Sequence, residues 1–135
     1  MFATSHGLIY LIDDYADTMD DKKGGMYVSL TIEGMQQRVD EYISQFKEGY
    51  FTPMTLVVRL TEELGELARE VNHLYGEKPK KSTEAEGSIA LELGDLLFVI
   101  TCLANRLDIN LEKSFEDVMH KFSTRDADRW TRIDA

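Results

Sequence analysis

Hydrophobic residues recur at intervals of three and four from Thr31 onward, with no sustained alternation, and this spacing predicts helices rather than strands. Thr52 with Pro53, and Thr83 with Glu86 three residues later, have the pattern of helix N-caps. Because the connections between the predicted helices are short, an all-α, antiparallel four-helix bundle is expected. The four helices should span about Thr31 to Lys47, Pro53 to Leu74, Glu84 to Arg106, and the stretch from just after Asn110 to Trp130.

Residues 1–26 differ from this helical part. Their acid-rich stretch DDYADTMDDKKGG ends in a glycine pair, which is typical of a turn or of disorder. The apolar run at residues 7–12 is short, lacks a basic start and is followed by acids, so it suits neither a signal peptide nor a membrane-spanning helix. We therefore expect a poorly ordered N-terminal appendage at residues 1–26 and one helical domain at residues 27–135.

The charge balance narrows the classes of partner. The chain has 25 acidic and 15 basic residues, a net charge of −10, which argues against a nucleic-acid or membrane partner because phosphate surfaces are bound by Lys and Arg. Its single cysteine, Cys102, lies in an apolar run and has no internal disulfide partner. A reducing, cytoplasmic location is therefore expected.

Two stretches nearly repeat each other, EELGEL at residues 62–67 and LELGDL at residues 91–96, and each places two acids three positions apart. At about 100° per residue, four acids share one arc of the second helix, opposite a broad apolar face. Taken alone, this pattern is typical of a solvated acidic surface. The acids are Glu62, Glu63, Glu66 and Glu70, and the apolar face contains Met54, Val57, Val58, Leu64, Ala68 and Val71.

The third helix changes this interpretation. Hydrophobic residues cover almost its whole circumference, so it should be buried nearly all round, with Glu92 and Asp95 in apolar surroundings. Two ionised carboxylates there would carry a desolvation cost on the order of several kcal/mol. One interpretation is a buried salt bridge, with Arg59, Arg69 or Arg106 as the partner.

The other interpretation is a metal site. If the second and third helices pack antiparallel, Glu63 and Glu66 can face the two acids of the third helix, and Gly65 and Gly94 would let the backbones approach closely. Four converging carboxylates suit a hard divalent ion such as Mg²⁺ or Mn²⁺. Such an ion binds phosphate oxygens, holds a water molecule for attack and spreads the charge that develops in phosphoryl chemistry.

The acids also carry a family resemblance. Glu62-Glu63-x-x-Glu66, followed after 25 residues by Glu92-x-x-Asp95, resembles the EExxE…ExxD signature of the MazG-like nucleotide pyrophosphohydrolases, within the all-α NTP pyrophosphatase superfamily. The stretches QFKEGYFTPMTLVVRLTEELGELAREVNHLYGEKPKK and MHKFSTRDADRW are similar to its small, single-domain YpjD-type members, and the resemblance covers residues 27–132. It implies a homodimer or homotetramer that hydrolyses a ribo- or deoxyribonucleoside triphosphate to the monophosphate and pyrophosphate, a housekeeping activity on the nucleotide pool.

The same resemblance implies roles for particular residues. Four acids match the family's metal ligands for Mg²⁺, with Mn²⁺ as a substitute, and are Glu63, Glu66, Glu92 and Asp95. Glu62 matches the first acid of the signature, either as a support for the ligands or as a base that orients the attacking water. Lys121 and Arg125 match a basic motif near the nucleotide phosphates. The base, the sugar, modified nucleotides as substrates and the number of metal ions stay open.

Other side chains each have two interpretations. Tyr50 and Phe51 either stack on a base or pack at the junction before the second helix, and Asn105 matches a polar position of related members or makes a helix-end hydrogen bond. A loop follows that helix and is either solvated or a lid that gathers phosphate. Its lysines are Lys78, Lys80 and Lys81.

Two other function classes fit parts of the sequence. Glu70-x-x-His73 fits one half of a di-iron or di-manganese carboxylate bundle, but the third helix has Asp95 where a second histidine is needed, and Asp117-x-x-His120 lies on a basic helix. A non-catalytic acidic interaction module would leave Glu92 and Asp95 without a purpose.

Overall fold

The computed structural model describes residues 29–83, 87–127, 129–131 and 133. Within these ranges the chain forms four α-helices and no strand, so the predicted all-α class is confirmed. The expected appendage at residues 1–26 lies outside the described residues. The helices are α1 (Ile32–Ile43), α2 (Pro53–Tyr75), α3 (Ile89–Arg106) and α4 (Leu111–Arg125).

Polar N-caps determine where the helices begin. Thr52 accepts a hydrogen bond from the Thr55 amide, with Pro53 in the first helical position, as its sequence predicts. The predicted start of α3 near Thr83 is wrong. Ser88 is the N-cap, its hydroxyl accepting from the Leu91 amide at 3.4 Å, and the extended backbone of Ser88 prevents the helix from starting earlier.

Two helices end earlier than their hydrophobic pattern suggests. After Ile43 the backbone turns, and it reaches Gly49 at a φ of 58°, a left-handed conformation that favours glycine. This turn brings the Tyr50 hydroxyl within 2.9 Å of Asp40 Oδ1 on α1. α4 ends at Arg125, where its guanidinium bonds the Asp126 carboxylate at 3.1 Å.

α2 and α3 form the main packing contact of the chain and run antiparallel, as expected. Near one end of the contact, Leu56 of α2 lies in one hydrophobic cluster with Val99 and Cys102 of α3. Near the other end, the Glu70 carboxylate lies against Gly87, just before α3. α1 packs against α3 and against α4. No helix in the described part of the chain is long and apolar enough to cross a membrane.

The apolar faces of α2 and α3 are not covered by the chain itself. Met54 on α2 is 73% exposed and Leu91 on α3 is 61% exposed, so the expectation that α3 is buried nearly all round is wrong for a single chain. The reason is that α2 turns its acidic side toward α3 and its apolar side outward. Other exposed residues of these faces are Val57, Val58, Leu64, Val71, Leu74, Leu93, Leu97 and Ile100.

Candidate metal centre

Three carboxylates from α2 and α3 converge at the middle of the antiparallel contact. Glu63, Glu92 and Asp95 each offer one oxygen, and these three oxygens lie within 4.8 Å of one another. Glu63 is 5% exposed and Glu92 is 9% exposed, while Asp95 is half-buried. Since positions three apart share one face of a helix, α3 presents both of its acids to α2. The interpretation of α2 as a solvated acidic surface is therefore wrong for Glu63.

Glu66, the remaining predicted metal ligand, is half-buried on the next turn of α2. It does not belong to the group of three acids whose oxygens lie within 4.8 Å of one another. Its negative charge nevertheless acts on the group, because it raises the pKa of Glu63, Glu92 and Asp95. The structure therefore places Glu66 beside the group of three carboxylates.

Burial and mutual repulsion both act on the group. Burial is the first cause of the raised pKa of Glu63, Glu92 and Asp95, and the negative charges of neighbouring acids raise each pKa further. Among the residues that the structure describes, the buried Oε2 atom of Glu92 has no hydrogen-bond partner. A buried carboxylate oxygen without a partner is costly, and a divalent cation would both pair with it and offset the repulsion. The residues present therefore fit a metal ion.

Arginine side chains neutralise only part of this acidic surface. Arg59 forms salt bridges with two glutamates of its own helix, Glu63 at 3.0 Å and Glu62 at 3.2 Å. Arg59 also lowers the pKa of Asp95, against the larger effects of burial and of Glu66. Within the described ranges, no ion pair reaches Glu92 or Asp95. A salt bridge therefore does not account for the acids of α3.

The two glycines of the repeated stretches do not bring the helices together, and that prediction is wrong. A Cβ added at Gly65 or at Gly94 would meet nothing within 4 Å. The glycine that contacts α2 is Gly87, where a Cβ would collide with the Glu70 carboxylate. Sequence reasoning missed Gly87 because a glycine before an N-cap resembles any loop glycine.

The two predicted phosphate-binding residues lie on α4 and are exposed. Lys121 Nζ stands 5.1 Å from the centre of the Phe122 ring, and Arg125 pairs with Asp126 at 3.1 Å. No hydrogen bond or ion pair found in the described chain joins either residue to the acids of α2 and α3. Their role toward phosphate stays a prediction.

The residues predicted to contact a base belong to a polar network between α1 and α3. Asn105 Nδ2 donates to Gln36 O and to the Tyr50 hydroxyl, both at 2.9 Å, and Asn105 Oδ1 accepts from Gln36 Nε2 at 2.9 Å. Tyr50 in turn donates to Asp40, and burial is the main cause that raises its pKa to about 12. Phe51 is exposed. Contact with a base stays a prediction for all three residues.

Glu70, from the Glu-x-x-His pattern, is buried, and two cationic side chains and a histidine lie near its oxygens. Its Oε2 atom lies 3.3 Å from Lys80 Nζ, while its Oε1 atom lies 3.6 Å from Arg69 Nε and 3.9 Å from His73 Nδ1. The second pattern is not part of this site, because Asp117 is exposed and pairs with a lysine of its own helix. The metal-binding group found in the described residues contains no histidine, which disfavours a di-iron centre.

Comparisons of the sequence with known proteins give matches over more than half of the chain. The model of the MazG nucleotide pyrophosphohydrolase domain matches residues 51–130, which include all of α2, α3 and α4. The uncharacterized protein YpjD of Bacillus subtilis (strain 168) is 66% identical over 102 residues, covering 76% of this chain and 92% of its own length.

Two crystal structures are similar to the chain. That of YpjD from Bacillus subtilis matches with a TM-score of 0.65 and 62% identity, covering 71% of this chain and 98% of its own. That of the Bacillus-conserved MazG protein, a nucleotide pyrophosphohydrolase, matches with a TM-score of 0.62 and 56% identity, covering 72% of this chain and 94% of its own.

Proposed function

This chain belongs to the MazG family of nucleotide pyrophosphohydrolases, and from that premise we propose that it is Mg²⁺-dependent and cleaves ribo- or deoxyribonucleoside triphosphates to the monophosphate and pyrophosphate. The observation that carries the proposal is the group formed by the buried Glu63 and Glu92 and the half-buried Asp95, with one oxygen of Glu92 unpartnered. An all-carboxylate set suits Mg²⁺, or Mn²⁺ in its place, better than softer metals.

Each acid has a part in this proposal. Glu63, Glu92 and Asp95 would hold the ion, and Glu66 would join them from the next turn of α2. When bound, Mg²⁺ supplies charge stabilisation to the phosphate oxygens of the substrate. Glu62 stands at the rim, with its side chain 56% exposed and paired with Arg59. From there it either supports Glu63 through Arg59 or orients the attacking water.

Cations are needed for the rest of the triphosphate charge. Lys121 and Arg125 are proposed for this role, since they are exposed and a triphosphate requires charge-assisted hydrogen bonds beyond its metal. The Arg125 guanidinium would release the Asp126 carboxylate and pair with a phosphate of the substrate instead. Among the proposed base contacts, the exposed ring of Phe51 is the one available for stacking, whereas Tyr50 and Asn105 would act through their hydrogen-bonded network.

We also propose that the enzyme works as a homodimer or homotetramer in the cytoplasm. The exposed apolar faces of α2 and α3 support assembly, because a monomer rarely leaves such contiguous apolar surface in water. The buried Cys102, which has no disulfide, fits a reducing compartment.

The proposal is tested by measuring pyrophosphate release from a panel of normal and modified ribo- and deoxyribonucleoside triphosphates, with Mg²⁺ and with EDTA. We expect turnover of at least one triphosphate with Mg²⁺ and none with EDTA. Glu66→Gln and Asp95→Asn should abolish the turnover, whereas Glu48→Gln, in the exposed loop after α1, should retain it.

Three results would contradict this proposal. If no triphosphate of the panel releases pyrophosphate with Mg²⁺, the proposed activity would be refuted. Retained turnover in Glu66→Gln or Asp95→Asn would refute the ligand assignment. A partner protein bound equally by wild type and Glu66→Gln, with no turnover in either, would favour an interaction module.

A further inference from the structure

A second buried carboxylate on α2, that of Glu70, lies outside the metal group. It is 7% exposed, yet both of its oxygens face cations, Lys80 at 3.3 Å and Arg69 at 3.6 Å. A buried carboxylate is tolerated when cations compensate its charge. Glu70 therefore needs no metal ion, and its burial requires another explanation.

The close approach of Gly87 supplies that explanation. A Cβ at this position would collide with the carboxyl carbon and both oxygens of Glu70. The end of a flexible side chain can often move aside, but this carboxylate is buried and held by Lys80 and Arg69. The backbone at Gly87 is thus packed directly on the Glu70 carboxylate, which would have to move to admit a larger residue at this position.

This contact lies at the start of the helix that carries two of the metal-binding acids. Ser88, the residue after Gly87, is the N-cap of α3, and its carbonyl accepts a hydrogen bond from the Glu92 amide at 3.0 Å. One hydrogen-bonded turn therefore joins Ser88, the residue next to Gly87, to Glu92. Since a hydrogen-bonded turn is rigid, a shift at Gly87 moves Glu92 relative to Glu63.

We propose that the Glu70–Lys80 ion pair, packed against Gly87, is a latch that sets the first turn of α3 and so places Glu92 in the metal group. Glu70 and Lys80 are positioning residues, which act on metal binding through Gly87. The inference rests on the proposed function, because the metal group is what the latch positions. Lys80 then belongs to the latch and not to a lid that gathers phosphate, and Lys78 in the same loop is solvated.

The test compares Lys80→Met with Lys78→Met, a matched change two residues away in the same loop. Mn²⁺ binding is measured by electron paramagnetic resonance, and the Mg²⁺ concentration for half-maximal pyrophosphate release is measured alongside. Loss of a residue that supports metal ligands weakens metal binding by about 10- to 100-fold, so we expect about a tenfold weaker Mn²⁺ affinity in Lys80→Met. Lys80→Arg should restore it, and Lys78→Met should match the wild type.

Gly87→Ala tests the contact independently, with Gly94→Ala as its matched control in open space. We expect weaker Mn²⁺ binding in Gly87→Ala alone, by about as much as in Lys80→Met. If Gly87→Ala does not fold, as judged by circular dichroism, the lysine pair still decides the question.

Several results would overturn the latch. One is that Lys80→Met binds Mn²⁺ as tightly as Lys78→Met does. Another is that Lys80→Met has a lower melting temperature but an unchanged Mn²⁺ affinity, which would indicate an ordinary ion pair. A wild type that binds Mn²⁺ but hydrolyses no triphosphate would refute the proposed function and leave the latch standing. If the wild type hydrolyses a triphosphate while Lys80→Met and Lys78→Met have the same Mn²⁺ affinity, the latch alone would be refuted.

Discussion

Two buried carboxylates on α2, only seven residues apart, face α3 in different electrostatic surroundings. Glu63 shares its site with Glu92 and Asp95, and the single Arg59 offsets only part of the crowding. Glu70 has Lys80 and Arg69 against its two oxygens. Burial of an acid is therefore a poor guide to its role, whereas the balance of charge around it separates a metal ligand from a structural ion pair.

The largest expected effect comes from Glu92→Gln, which removes a negative charge from the crowded group. Metal-dependent turnover should fall by at least about a hundredfold, because a proposed ligand is lost. In EDTA the free energy of unfolding should stay equal or rise, since an unpaired buried charge has been removed. Pyrophosphate release and urea unfolding measure the two quantities. A large loss of stability in EDTA would show that Glu92 is a structural residue.

Glu70→Gln should have the opposite effect on stability. The substitution keeps the shape but leaves Lys80 without its carboxylate, and we expect a loss of about 1–3 kcal/mol in the free energy of unfolding. Urea unfolding measures it, with Glu77→Gln in the exposed loop after α2 as the control. If Glu70→Gln were as stable as Glu77→Gln, the contrast between the two acidic sites would disappear.

The pH dependence of stability should identify the crowded group. The pKa values of Glu63, Glu92 and Asp95 are raised in the fold above 4.5, 4.5 and 3.8, respectively. Their protonated forms are therefore favoured in the folded chain, and this stability is full below those ordinary values and is lost as the pH rises through the raised values. In EDTA, stability should fall as the pH rises through that window.

Mg²⁺ provides the control for this pH effect. It should restore stability above the window and do little below it, because protonated carboxyl groups do not bind the ion. Thermal melting across the window, with EDTA and with Mg²⁺, checks both expectations. Equal stabilisation by Mg²⁺ on both sides of the window would contradict them.

The smallest expected effect on stability comes from Gly65→Ala. Gly65→Ala adds a methyl group where the chain leaves open space, and alanine is preferred over glycine inside a helix by about 1 kcal/mol. We expect a gain of up to about 1 kcal/mol in the free energy of unfolding. Urea titration measures the free energy of unfolding, and size-exclusion chromatography measures the oligomeric state. A loss of stability together with dissociation would show that a second copy packs against Gly65.

The helical period and the set of acids can both be predicted from the sequence. Local signals were enough for Thr52 and Pro53, because a cap and a first-turn proline act on their own helix. Thr83 shows where local signals fail. The helix begins after Ser88 and not after the capping box of Thr83. Gly87, next to Ser88, packs on Glu70, and a contact between residues 17 positions apart is not encoded in a local sequence pattern.

The sequence alone predicts a helical chain, with acids of α2 and α3 that recur at a spacing of three and resemble a metal-binding signature. The tertiary structure decided which face of α2 turns inward, because periodicity defines faces without assigning them to core or solvent. It also separated Glu63 from Glu70, two acids on one helical face. Packing against α3 gives Glu63 its acidic neighbours, whereas the loop after α2 places Lys80 against Glu70.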